Sequence, residues 1–84
     1  MWKNENDKLS KTFVFNDFKQ AFSFMTHVAF WSEGYNHHPN WTNVYNRVSI
    51  ELTTHDAGNI ITEKDYQLAE KIDEIYLAFQ KNDA

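Results

Sequence analysis

The sequence holds no cysteine, one proline and two glycines in 84 residues. Without cysteine there is no disulfide framework and no thiolate chemistry, and a reducing compartment is the natural setting. Scarce proline and glycine argue against a disordered or loop-rich scaffold. No apolar run is long enough for a membrane span, and the N-terminus lacks the apolar core of a signal peptide. Basic excess is missing too: eight Lys and Arg stand against twelve Asp and Glu, a formal charge of −4. A phosphate-backbone binder would show a basic face, so direct nucleic-acid binding is disfavoured. A cytoplasmic protein without a membrane anchor is the expectation. No repeat or low-complexity segment interrupts the chain, and a single domain over residues 1–84 fits its length.

What the chain has in quantity is aromatic: seven Phe, four Tyr and three Trp. Each buries a large area, so a short chain can still build a core. A domain this small often gains further stability by associating with copies of itself.

The run Lys8 to Phe15 alternates. Leu9, Phe13 and Phe15 fall on one side, Thr12 and Val14 on the other, and Lys11 interrupts the apolar side. Asn6-Asp7 predicts a turn back to a first strand around Trp2. Asn16 or Asp17 can cap a helix, because either side chain accepts from the free N–H groups of a first turn. Phe18, Ala21, Phe22, Met25, Val28 and Ala29 follow at helical spacing as one apolar face. Phe24 and Trp31 flank it, Phe30 points elsewhere, and Gly34 is expected to end the helix. That aromatic surface exceeds what one sheet covers, so either a second subunit meets it or the core wraps further round.

Tyr45-Asn46-Arg47-Val48 predicts a hairpin with Asn46-Arg47 as its two-residue loop, Asn adopting the positive φ. In that register Tyr45 lies opposite Val48, Asn43 opposite Ile50, and Trp41 opposite Leu52. Val48, Ile50 and Leu52 alternate with Ser49, Glu51 and Thr53, giving a strand with one wet face. Asp56 to Asn59 form a loop. Thr62-Glu63-Lys64-Asp65 resembles a capping box with Asp in the usual place of Glu. The last helix presents Leu68, Ala69, Ile72, Ile75, Tyr76 and Phe79 on one face. The order ββαββα predicts an α+β fold, an antiparallel sheet with both helices packed on one face.

Extending the hairpin register sets His38 opposite His55, within side-chain contact. Pro39 cannot donate to the ladder, so pairing loosens there and leaves His37, His38 and His55 on an irregular rim. Imidazole titrates near neutrality, and three together can donate and accept protons. A lone histidine is more simply a surface or turn residue; three converging favour acid–base work. A metal site ranks well below it, since adjacent histidines seldom point the same way and no His-x-x-x-His or cysteine accompanies them. Glu33 could orient an imidazole, bind a polar ring or simply face solvent. Trp41 could form an aromatic wall or pack over the sheet. Asp65 most simply caps the last helix, and His27 lies on a helix surface.

An ordered set of residues goes further. Phe13-x-Phe15-x-Asp17-Phe18-x-x-Ala21-Phe22-x-Phe24-Met25 comes first. Glu33-x-x-x-His37-His38-Pro39-x-Trp41-x-Asn43-Val44-Tyr45-Asn46-x-Val48 follows. Thr54-His55-Asp56 and Thr62-x-x-Asp65-x-x-Leu68-Ala69 complete it. Together they resemble the pterin-4a-carbinolamine dehydratase family over nearly the whole chain from Trp2. The resemblance implies a four-stranded antiparallel sheet, dimers or tetramers, and loss of water from a 4a-hydroxytetrahydropterin to give the quinonoid dihydropterin. It implies a step in tetrahydrobiopterin recycling, with an aromatic amino acid hydroxylase as pathway partner. It places the family's three active-site histidines on His37, His38 and His55. The implied substrate contacts are Asn36, Pro39, Trp41, Thr53, Thr54 and Asp56, with Glu33 and Asp65 as supporting acids. No metal or other cofactor is implied, the pterin being the substrate. Some animal members also bind a transcription factor, hepatocyte nuclear factor, as a dimerisation cofactor, and others act as assembly factors. Against that pattern, the N-terminal helix of many members is not expected ahead of Trp2, and Asn36 stands where some carry Asp. Its loop Gly58-Asn59-Ile60-Ile61 is one residue longer than usual.

Overall fold

A computed structural model describes residues 1–81; residues 82–84, part of the expected domain, lie outside the described residues. Strands β1 (Lys3–Glu5) and β2 (Lys8–Val14) join through Asn6 and Asp7, at φ 54° and 59°. Asn and Asp tolerate this left-handed conformation, which tight hairpin turns require. Helix α1 (Phe18–Tyr35) follows, then β3 (Asn40–Val44), β4 (Arg47–Leu52) and α2 (Glu63–Lys81). The strands form one antiparallel sheet in the order β1-β2-β4-β3. Both helices cover the face that carries Leu9, Phe13, Val48, Ile50 and Leu52, so the fold is α+β. None of the described helices is long and apolar enough to cross a membrane.

The hairpin β3–β4 turns one residue earlier than its sequence suggests. Tyr45 and Asn46 form the loop, and the positive φ (51°) belongs to Tyr45 rather than Asn46. Asn43 therefore lies opposite Val48, and Trp41 opposite Ile50 rather than Leu52. Asn46 is held elsewhere: its Nδ2 donates to the Phe15 carbonyl, and the Phe15 N–H donates to the Asn46 carbonyl (2.9 and 2.8 Å). The slip is two residues, so every side chain keeps its face. The ladder ends at Asn40 opposite Glu51, and His38 and His55 are not a cross-strand pair.

Asp17 caps α1, accepting from the Gln20 N–H at 2.9 Å. Gly34 lies inside the helix, which ends instead at Asn36, left-handed at φ 54°. The Asn36 and His37 N–H groups return to the Glu33 and Ser32 carbonyls, satisfying the last turn. The buried face is Ala21, Phe24, Val28 and Ser32, rotated from the expected one. Phe24 is fully buried against Phe13, Phe15, Tyr76 and Phe79. Phe18, Phe22 and Ala29 face outward, Phe22 being 54% exposed. Lys11, on the apolar side of β2, donates to Asp73 of α2 at 2.8 Å, with its ammonium 5.0 Å from the Phe13 ring centre.

Ser32 Oγ is the single buried side-chain polar atom without a partner among the described residues. An unpaired buried hydroxyl costs free energy, and Ala favours a helix over Ser. Ser32→Ala is expected to raise unfolding free energy by about 1 kcal/mol. A urea titration showing a loss of similar size would mean the hydroxyl is engaged.

Candidate active site

Both segments that flank the β3–β4 hairpin leave the sheet at the same end. Asn36 to Asn40 lead into β3, and Thr53 to Asp56 lead out of β4. Between them lies a cleft of about 390 Å³ lined by Asn36, His37, His38, Pro39, Asn40, Thr53, Thr54, His55, Asp56 and Lys64. The three candidate histidines thus share one cleft although the ladder does not pair them.

Each of these imidazoles has one nitrogen held by an oxygen. His37, buried, meets Asp65 Oδ1 through Nε2 at 2.6 Å. His38, exposed, meets Glu33 Oε1 through Nε2 at 2.9 Å. His55, also exposed, meets Asn59 Oδ1 through Nδ1 at 2.6 Å. An oxygen acceptor requires the proton on the nitrogen it faces, which leaves the other nitrogen of each ring for a ligand. All three were expected on the rim, but His37 is not there. It turns inward, as its neighbour turns out.

Asp65 explains the inward turn. It is fully buried, and its Oδ2 accepts from the Thr54 hydroxyl (2.7 Å) and the Thr62 N–H (2.8 Å). The last bond is the reciprocal arm of a capping box, which Lys64 N–H to Thr62 Oγ1 completes at 3.3 Å. Thr54 gives its proton to Asp65, so Thr62 must be the donor in the 2.7 Å contact between their hydroxyls. One carboxylate therefore caps α2 and clamps a cleft histidine. Glu33 and Asp65 stand behind their histidines and do not line the cleft. Trp41 does not line it either; it is half-buried against the core at the edge of the sheet.

Burial alone would raise the Asp65 carboxyl, but the bonds from His37, Thr54 and the Thr62 N–H outweigh it and hold it below the usual range. A folded value below the unfolded one, about 3.9, contributes stability that is present above about pH 4. That stability is lost as pH falls through the folded value. Asp65→Asn is expected to show a shallower acid-side fall in stability than the parent. Parallel curves in acid denaturation would refute this.

The sequence and the fold match a known group of proteins. A family model described as Pterin 4 alpha carbinolamine dehydratase matches residues 1–75. The chain belongs to the pterin-4a-carbinolamine dehydratase family. It is 56% identical over 72 residues to a Synechococcus protein provisionally given that name, covering 86% of this chain and 76% of the relative. A Solibacter usitatus protein, named in the same provisional way, is 57% identical over 72 residues, 86% and 75% of the two chains. The crystal structure of a transcriptional coactivator/pterin dehydratase from Brucella melitensis superposes with a TM-score of 0.84 at 39% identity, over 89% of this chain and 81% of that one. A pterin dehydratase-like protein identified as a RuBisCO assembly factor in the alpha-carboxysome gives 0.73 at 25%, over 90% and 87%.

Of the pterin-dehydratase positions expected from sequence, Asn36, Pro39, Thr53, Thr54 and Asp56 join the histidines along the cleft. Sequence reasoning missed Asn59, Thr62 and Lys64. Asn59 carried a faint signal, since it follows Gly58 in the loop between β4 and α2. Thr62 was visible only as a helix cap.

Proposed function

We propose that the chain is a hydro-lyase that removes water from a 4a-hydroxytetrahydropterin to give the quinonoid dihydropterin. The observation that carries this reading is three imidazoles around one cleft, each with one nitrogen fixed and one free. Dehydration breaks the C4a–O bond as the hydroxyl takes a proton and leaves as water. The N5–H electrons then form the C4a=N5 bond as that proton passes to a base. Two positioned groups are needed, and histidine serves either role near neutrality. The bicyclic ring would lie across the cleft, with polar contacts from Asn36, Thr53, Thr54 and Asp56. The pterin is the substrate, and the proposal invokes no other cofactor. The test is a stopped-flow dehydration assay on chemically generated carbinolamine. Turnover no faster than the buffer reaction, from folded protein, would sink the reading.

A second reading is supported by the assembly-factor and coactivator relatives and by the outward face of α1. On that reading the scaffold binds another protein and does not turn over pterin. A folded chain inactive in the same assay is the outcome that would favour it.

We further propose that the chain self-associates through α1. Phe18, Phe22, Met25 and Ala29 follow one another at intervals of four, three and four residues; Phe18, Phe22 and Ala29 are exposed, and Met25 lies partly buried at the margin of the core. Phe24, expected from sequence to serve this contact, belongs to the core instead. Light scattering should give a multiple of 10.0 kDa, and Phe22→Glu should lower it. A constant monomer mass across concentrations would refute the interface.

A further inference from the structure

We propose that Asn59 is a positioning residue for His55, fixing its tautomer so that Nε2 presents a lone pair to the cleft. This rests on the dehydratase reading for its purpose, though not for its test. Asn59 does not line the cleft. It borders an adjoining hollow of about 220 Å³ with Lys8 and Glu51, and that hollow shares Asn40, Thr53 and His55 with the cleft. The imidazole therefore borders both hollows, while the amide that holds its Nδ1 borders only the second. The 2.6 Å contact from Nδ1 to Asn59 Oδ1 is as short as the bond between His37 and Asp65.

The loop is built to hold that amide. Gly58 and Asn59 are both left-handed, at φ 91° and 62°. The Gly58 N–H returns to the His55 carbonyl (3.0 Å), and the Asn59 N–H to the Thr54 carbonyl (3.0 Å). The Thr54 N–H donates to the Ile60 carbonyl (2.9 Å), closing an isolated bridge between residues 54 and 60. The Asn59 backbone is thus anchored on both sides by the residue that precedes His55. Asn is among the few side-chain-bearing residues that accept such a φ and still carry an acceptor. Thr54 serves both clamps, its hydroxyl holding Asp65 behind His37 and its main chain holding Asn59 behind His55.

The three clamps differ in charge. His37 and His38 are backed by carboxyl groups, whereas His55 is backed by a neutral amide. A neutral acceptor fixes the proton on Nδ1 without adding a negative charge beside the ring. That arrangement suits a group that enters the cycle with a free lone pair and accepts a proton from the substrate. An amide can also turn end for end. In the reverse orientation it would donate to Nδ1 and leave the proton on Nε2, the opposite of what is proposed.

The experiment is ¹⁵N NMR of the histidine side chains, above the pH at which the ring is neutral, on the parent, Asn59→Gly and Asn59→Asp. Glycine keeps the left-handed backbone and deletes the side chain, so folding is retained and is checked by thermal melting. The parent should show His55 protonated at Nδ1 alone. Asn59→Asp, which can only accept, should keep that tautomer. Asn59→Gly should give a mixture. In steady-state assays Asn59→Gly should lose kcat by about 10–100-fold with KM largely kept, as expected of a misaligned group. A parent protonated at Nε2 would overturn the proposal, as would a glycine variant whose tautomer and kcat both match the parent. The tautomer reading needs no turnover, so a chain inactive on carbinolamine would sink the dehydratase reading alone.

Discussion

Replacing Asp65 with Ala is expected to destabilise the fold by about 3–5 kcal/mol, because several donors lose their acceptor at about 1–3 kcal/mol each. Three donors converge on this fully buried carboxylate: His37 Nε2, the Thr54 hydroxyl and the Thr62 N–H. Without it all three lose the acceptor that the fold provides. A domain of this kind has roughly 5–15 kcal/mol in total, so the variant should be partly unfolded at physiological temperature. Asp65→Asn keeps the shape but sets an NH₂ group against one of the donors, and should fall between parent and Ala. Urea unfolding followed by far-UV circular dichroism measures both. An Ala variant within about 1 kcal/mol of the parent, the range of an ordinary surface substitution, would show that the network does not stabilise the fold.

The second large effect is on turnover. His37→Ala, His38→Ala and His55→Ala are each expected to lower kcat by about 10²–10⁴-fold, the range for a positioned acid or base. Double replacements should lose less than the product of the singles, because groups around one ring act together. The three should differ sharply in folding. His38 and His55 are exposed, and their removal should leave the melting temperature near that of the parent. His37→Ala strands the buried Asp65 and should destabilise. His37→Asn, which can still donate to the carboxylate, should recover much of the fold and little of the rate. A triple-alanine variant that stayed folded and dehydrated carbinolamine at the parent rate would remove the histidines from the mechanism.

Local patterns made much of this architecture legible. Alternation in β2 and β4, the Asn6-Asp7 turn, the Asp17 cap and the apolar face of α2 each follow from side chains near one another in sequence. The β3–β4 register was missed by two residues because side-chain alternation repeats every two, so a slip of that size leaves the pattern of faces unchanged. What settles it is the clasp between Asn46 and Phe15, thirty-one residues apart. The helix end at Asn36 rather than Gly34 was missed because either residue can adopt a left-handed backbone. The buried face of α1 was missed because Phe22 and Phe24 are chemically alike; only the facing Phe13, Phe15 and Tyr76 choose between them. In the site, spacing revealed that Asp65 caps a helix. That it also reaches His37, twenty-eight residues away, depends on where α2 docks.

The placement of the tryptophans makes intrinsic fluorescence a gauge of docking rather than of occupancy. Trp2 packs on Phe13 and donates to Asp73, and the Trp31 ring centre lies 4.2 Å from the Lys71 ammonium; Asp73 and Lys71 both belong to α2. Trp41 sits near the edge of the sheet, and none of the three lines the cleft. Emission from this chain therefore responds first when α2 lifts from the sheet and from α1. The movement that would free Asp65 from His37 is thus reported by indoles that do not line the cleft.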